Sequence, residues 1–306
     1  MAKKQKQALL HSSISHFRKN QLVFSLRAVI VLLVAVIFVV KREFWTPDTL
    51  FLILLVIFVA FGQTRSFLVR FVPLIALLLV YDSFRSIADD LNKNVHYFEM
   101  IVADRTLFGG VLPTVYLQEK WWNGHLQWYD FYFYSLYTAH FLLPVLLAVI
   151  LWKLRPFLYW RYVSALVLLS FAAFITYVLF PAAPPWLASD KGFIEPIHRI
   201  SSDIWMAMGV TNFSEVYSKL SPNLVAAVPS LHSAYPLLFT LFLVRAFGFR
   251  RMGWLIIYPV SMWIGVVYLG EHYVIDAILG AMYALAAYFI ANLIFDWMNS
   301  RQLTKH

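Results

Sequence analysis

The feature that most constrains this chain is a series of apolar runs of helix length, separated by polar or proline-bearing breaks. They fall at 24–40, 48–62, 67–84, 131–152, 157–180, 231–247, 253–269 and 273–298. A helix needs about 20 apolar residues to cross ~30 Å of hydrocarbon, where the backbone must satisfy its own N–H and C=O groups. The expectation is an all-α, polytopic membrane helix bundle of about eight transmembrane spans, with the second and third runs short enough to tilt or re-enter. Composition agrees: 61% of the 306 residues are hydrophobic and 13% charged, against roughly 25% charged in soluble domains. That leaves too few polar groups to cover a soluble surface. It excludes a soluble enzyme, a disordered chain and a free-standing nucleic-acid binder. With no cysteine, disulfides, thiolate metal sites and a cysteine nucleophile are also excluded.

The net charge of +9 reports topology more than substrate. With the N-terminus in the cytoplasm, sixteen Lys and Arg fall on the cytoplasmic side against Asp296 alone. The other face then holds nine positive and fifteen negative charges. The positive-inside rule selects this orientation, with both termini cytoplasmic. The first run follows Lys3, Lys4, Lys6, Arg18 and Lys19 and ends in Val39-Val40-Lys41-Arg42 without a small-residue cleavage site, so it is expected to stay as an anchor. The protein is expected to be integral to the membrane, the plasma membrane if bacterial.

Two long polar segments, 85–130 and 181–230, fall on the outer face. The first mixes charges with Tyr97, Phe98, Phe108, Tyr116, Trp121, Trp122 and Trp128. Such aromatic-rich amphipathic sequence is expected to form interfacial helices. The second opens with Phe180-Pro181-Ala182-Ala183-Pro184-Pro185-Trp186, whose prolines stop the fifth span. There is no internal repeat or soluble domain. The division expected is 1–84 (cytoplasmic tail and accessory spans), 85–298 (catalytic membrane domain) and 299–306 (cytoplasmic tail).

Of nine histidines, His11, His16 and His306 lie in tails and His96, His125 and His198 in outer loops. His140 lies within the fourth run, and His232 and His272 lie at run ends. Ionisable groups at membrane depth are costly and mark sites. In Val228-Pro229-Ser230-Leu231-His232-Ser233 a helix begins, and its unpaired amides make an anion site that Ser230 can cap or extend with its hydroxyl. In Gly270-Glu271-His272-Tyr273-Val274-Ile275-Asp276, the i,i+4 spacing puts His272 and Asp276 on one helix face. A carboxylate that holds one imidazole nitrogen leaves the other as base, nucleophile or ligand. Between the motifs the chain crosses inward and returns, so both histidines face one aqueous side. Structural hydrogen bonds, a zinc site built on two histidines and an aspartate, a proton-relay transporter and a non-catalytic scaffold all remain open at this point.

Together these segments resemble the type 2 phosphatidic acid phosphatase superfamily. Pro229-Ser230-Leu231-His232 is similar to its Pro-Ser-x-His motif, and His272-x-x-x-Asp276 to its terminal His-x-x-x-Asp motif. The wording Ala226-Ala227-Val228-Pro229-Ser230-Leu231-His232 with Gly270-Glu271-His272-Tyr273 is closer to the branch of inositol phosphorylceramide synthases. Tyr137-Thr138-Ala139-His140 with Pro144, Ala103-Asp104-Arg105 and Pro184-Pro185 are further echoes. The resemblance covers roughly residues 80–295.

It implies a catalytic trio. His272 would be the nucleophile that forms a phosphohistidine, Asp276 its orienting carboxylate, and His232 the acid and base. Ser230 would help cradle phosphate, and Tyr137 and His140 would line the substrate pocket. No cofactor and no metal are implied. The partners are the lipid bilayer, a phospholipid or lipid-phosphate substrate and an alcohol or water acceptor, at an extracytoplasmic site. The resemblance implies either transfer, with phosphoinositol the group its branch suggests and a lipid or glycolipid alcohol the acceptor, or hydrolysis of a lipid phosphate or diphosphate, and it implies no nucleic acid. The chain departs from the superfamily pattern where an Arg six residues before the nucleophile is Val266, and from the branch where the residue after Pro-Pro is Trp186. Its only Arg-Pro, Arg155-Pro156, is on the cytoplasmic side. The phosphate-binding cations are therefore sought among Arg85, Arg105, Lys191, Arg199 and Lys219, with Arg85, Arg105 and Arg199 favoured.

Overall fold

A computed structural model of the chain describes residues 64–85, 91–209 and 223–303, with the isolated positions 29, 56, 58 and 62. The expected runs at 24–40 and 48–62, and Lys219, lie outside the described residues apart from those positions. The chain divides into two compact units, Met1–Ala76 and Leu77–His306. In the first, Phe58, Phe67 and Phe71 stack in series with ring centroids 4.8 and 4.7 Å apart. Helix α1 is Thr64–Arg85, close to the third expected run.

The second unit is all helical among the described residues. Short helices α2 (Phe98–Leu107) and α3 (Pro113–Trp121) precede the long α4 (Trp128–Leu154) and α5 (Pro156–Leu179). Two more short helices, α6 (Pro185–Asp190) and α7 (Ile200–Ala207), lead to α8 (Leu231–Phe247). The chain then turns through α9 (Phe249–Met252) and a 3₁₀ turn into α10 (Ile257–Tyr268) and ends on α11 (Val274–Leu303). By length and apolarity three helical stretches can cross a membrane: Pro156–Leu179, Phe249–Tyr268 and Val274–Arg301. The two halves of α4 make a fourth if their 54° bend is one broken span. Pro144 accounts for that bend, since its ring displaces the carbonyl of His140 and it has no N–H to give. The 17 residues of α8 reach only about 25 Å, so this run is shorter than a full span. The described residues thus establish a helical membrane protein but not the expected count of eight.

The sequence dictates where these helices start and stop. Gln127 N–H bonds the Asp130 carboxylate at 2.7 Å in a capping box that opens α4, and Pro156 occupies the first turn of α5. Ser230 caps α8 by accepting from Ser233 N–H, and Gly248, at φ +91°, ends it. Helix α8 is the hub, packing on α4, α5, α10 and α11, while α5 also packs on α11. Leu147, Leu158, Leu166, Leu238 and Phe242 fill the buried seams. On the outward face of α11, Phe289, Leu293 and Trp297 are exposed, as on a surface solvated by lipid.

Beyond the ends of the long helices, three connecting segments lie side by side. His96 N–H donates to the Pro181 carbonyl at 2.8 Å, and Ala183 N–H returns to His96 at 2.9 Å. Ala182 N–H donates to Val225 at 2.7 Å, and Ala227 N–H to Ala182 at 3.2 Å. These bonds fix the segment that delivers Pro229 and Ser230 to the head of α8.

Candidate active site

The two histidine motifs meet because the start of α8 lies directly on α11. Ser230 N–H donates to the Asp276 carbonyl at 3.1 Å. The approach is possible because residue 280 is glycine: a Cβ there would sit 2.2 Å from the Ser230 carbonyl oxygen. Tyr177 donates its hydroxyl to the Pro229 carbonyl at 2.9 Å, and Trp263 Nε1–H donates to the Ser233 carbonyl at 3.2 Å. The Pro-Ser loop and the first turn of α8 are therefore held from α5, α10 and α11.

The segment between α10 and α11 is equally constrained. Glu271 and His272 both donate their amides to the Val266 carbonyl, at 3.0 and 3.1 Å. Gly270 adopts φ +80° and accepts from Trp186 N–H at 3.0 Å. The buried Gln118 side chain donates to the Tyr268 and His198 carbonyls at 2.8 Å and accepts from His198 N–H at 2.7 Å. Sequence reading missed Gln118; its only signal was an uncharged amide inside an amphipathic segment.

In this frame His232 Nδ1 lies 3.0 Å from His272 Nε2. Behind it, His272 Nδ1 is 3.4 Å from Asp276 Oδ2. The same oxygen accepts from Tyr273 N–H at 2.9 Å. His272 and Asp276 are buried, and His232 is half-buried. Tyr137 stacks flat on His232 with centroids 4.1 Å apart, and the ring of His140 stands 3.9 Å from the same imidazole. A carboxylate behind His272 Nδ1 keeps the proton there and leaves Nε2 as a lone pair. The arrangement can supply a nitrogen nucleophile and, beside it, a proton donor. Among the described residues no group of three or more His, Asp or Glu is arranged to hold a metal ion.

The favoured cations are placed differently from one another. Arg105 forks onto Glu195 at 2.7 and 2.9 Å. Arg199 bonds Glu271, the neighbour of His272, at 3.3 Å, with its guanidinium 3.8 Å from the Trp186 ring. Trp186, the residue after Pro184-Pro185, thus lies against the Arg199 guanidinium. Ser201 donates to the same Glu271 oxygen at 2.6 Å. The side chain of Arg85 lies outside the described residues. Ser230 Oγ accepts from the Ser233 amide at 3.3 Å and hydroxyl at 3.2 Å, so it serves its own helix as a cap.

Asp104, fully buried on α2, accepts from Val274 and Ile275 N–H, both at 2.9 Å. Burial raises its carboxyl from 3.8 to about 6, against the pull of those two amides, and the nearby charge of Asp276 raises it further. An apolar groove of about 710 Å³ opens beside the same helix. Val274, Ala277 and Ala281 of α11, Val267 and Trp263 of α10, and Phe108 after α2 line it.

Residues 99–290 match the family model described as the PAP2 superfamily. The chain is 29% identical over 247 residues to a phosphoinositol dihydroceramide synthase of Bacteroides thetaiotaomicron, covering 76% of this chain and 78% of that protein. It is 30% identical over 161 residues to an inositol phosphorylceramide synthase of Candida albicans, covering 49% of this chain and 33% of that protein. No solved structure matches the chain significantly.

Two outcomes follow from this geometry. Gly280→Ala forces its methyl against the Ser230 carbonyl, which will lower the thermal midpoint in detergent by the equivalent of about 1–3 kcal/mol; an unchanged midpoint would contradict the close approach. The second concerns pH. The Asp104 carboxyl binds its proton more tightly folded than unfolded, so on its account stability is present at low pH and is lost as pH rises from about 4 through 6. Relative to Asp104→Asn, the chain will lose about 3 kcal/mol between pH 4 and 7, read as a shift in the difference between their thermal midpoints.

Proposed function

The chain belongs to the PAP2 superfamily, and on that premise we propose that it is a membrane phosphotransferase working through a phosphohistidine on His272. It is an enzyme acting on lipid phosphoesters, in line with its two synthase relatives. The reaction proposed moves a polar-headgroup phosphate, phosphoinositol by analogy with those relatives' names, from a phospholipid to a lipid or glycolipid alcohol. The site is assigned to the extracytoplasmic leaflet, both termini to the cytoplasm, and residues 85–298 to the catalytic domain of an eight-span bundle with interfacial helices α2 and α3. The observation that carries the reading is the 3.0 Å approach of His232 Nδ1 to His272 Nε2, backed by Asp276.

His272 Nε2 attacks phosphorus while the bond to the leaving oxygen breaks, and His232 gives that oxygen its proton. His232, now neutral, takes the proton of the acceptor hydroxyl, whose oxygen attacks phosphorus and returns the N–P electron pair to His272. Asp276 holds the Nδ1 proton and stabilises the cationic phosphohistidine. The 3.0 Å contact is a resting contact. A nucleophile in reach of phosphorus and an acid in reach of the leaving oxygen stand roughly 6 Å or more apart, so an entering phosphoryl group must part the two rings. Stacking on Tyr137, beside His140, fixes the orientation of the His232 ring that gives the proton. The phosphate oxygens are assigned to the first-turn amides of α8, to the Ser230 hydroxyl and to Arg199, with Arg105 and Arg85 as outer cations.

The groove beside α11 supports a lipid substrate: its wall includes Val274 and Ala277, which flank Asp276 in sequence, and Trp263, which holds the first turn of α8. Its volume suits a ligand of that size and its lining a hydrocarbon chain.

Incubation with radiolabelled phospholipid should trap an acid-labile, alkali-stable adduct, absent in His272→Asn. His232→Ala should slow turnover by about 10²–10⁴-fold. Vanadate should inhibit. Phosphate release that no added alcohol diverts would replace transfer by hydrolysis, and labelling of His272→Asn would remove the phosphohistidine altogether. Ala281→Trp, which fills the groove, should raise KM for a long-chain substrate about tenfold, or ~1.4 kcal/mol. It should leave a short-chain soluble analogue nearly unaffected; equal effects on both would refute the groove assignment.

A further inference from the structure

One buried acid has no part in the chemistry above, yet it touches the helix on which that chemistry depends. Helix α11 starts at Val274, so its cap position falls on Tyr273, whose side chain has no acceptor suited to the first-turn amides. The Tyr273 amide is taken by Asp276 Oδ2 at 2.9 Å, which is half of a capping box. The next two amides, Val274 and Ile275, would be left without protein partners in a part-buried setting. The Asp104 carboxylate takes both, each at 2.9 Å, from a helix 170 residues away in sequence.

We infer that Asp104 is a positioning residue of the active site: by capping α11 across the fold, it sets the turn on which His272 and Asp276 face each other. The assignment rests on the phosphohistidine reading above. Three details make the link local. The amides Asp104 holds belong to the residues between His272 and Asp276. The Asp276 oxygen that faces His272 also accepts from Tyr273 N–H, so a shift of the first turn moves donor and acceptor together. The 3.4 Å His272–Asp276 separation leaves little slack before the hydrogen bond is lost. Asp104 also places a negative charge on the positive end of the α11 dipole. Neighbouring Arg105 is turned away onto Glu195.

The test compares the full-length chain in detergent with Asp104→Asn and Asp104→Glu, reading kcat and KM per phosphorylatable site, where the site count is the labelled adduct at saturation. Asparagine keeps one acceptor but points an NH₂ at the second amide, while glutamate keeps both acceptors and the charge. The expected result for Asp104→Asn is a fall in kcat per site of about 10–100-fold with KM changed by less than about threefold, and recovery of much of that loss in Asp104→Glu. A merely structural cap would lower the number of labelled sites and leave the rate per site intact, and that outcome overturns the proposal. So does a wild-type rate in Asp104→Asn, or failure of both variants to accumulate as folded protein. Label on His272→Asn, by contrast, overturns the phosphohistidine reading and not the placement of Asp104.

Discussion

The contact on which the site depends is made by backbone. The Ser230 carbonyl rests where the side chain of residue 280 would be, and Ser230 N–H donates to the Asp276 carbonyl. Only glycine lets the head of α8 come that close to α11. With that approach fixed, the imidazoles carried by the second residue of α8 and by the residue two before α11 must meet, because each is tethered to a helix end that cannot slide. Packing therefore sets the separation of the histidines, and their own hydrogen bond follows from it.

The electrostatics around this contact are balanced locally. Three buried acids, Asp104, Glu271 and Asp276, crowd the start of α11, each with its own partners. Asp104 holds two amides, Glu271 holds Ser201 and Arg199, and Asp276 stands behind His272. A buried charge without partners costs several kcal/mol, so each acid also fixes the element that supplies its partner. The connecting segments can then deliver Arg199, resting on Trp186, to the neighbour of His272 without disturbing the histidines. The residue after Pro184-Pro185 is thereby brought against a guanidinium carried just ahead of α7.

Much of this was legible in the sequence because it depends on local pattern. The helices at 231–247, 157–180 and 131–152 were visible as apolar runs, and the proline-rich stop after Phe180 and the Ser230 cap are chemical signals that act within a few residues. That His232 and His272 lie at one end of the bundle followed from counting one inward and one outward crossing between them. Asp104 and Gln118 were not legible in the same way. Each bonds backbone groups 80 to 171 residues distant, and such a partner leaves no periodicity in the chain. Gly280 was unreadable as well, since one small residue among many on α11 announces nothing about what approaches it.

By itself the sequence determined that this chain is helical and built for a membrane, because hydrocarbon forces the backbone to satisfy itself and the apolar runs are long enough to require it. It determined too which residue types can do phosphoryl chemistry, but not their placement on one helix face: His272 lies in the turn ahead of α11, its amide on the Val266 carbonyl, and from there it faces Asp276. Tertiary structure alone decided that α8 would seat against Gly280 and that Asp104 would cap α11. It also decided that Trp186 would carry Arg199. Those outcomes turn on close approach between segments remote in sequence, where a few tenths of an ångström separate a hydrogen bond from a collision.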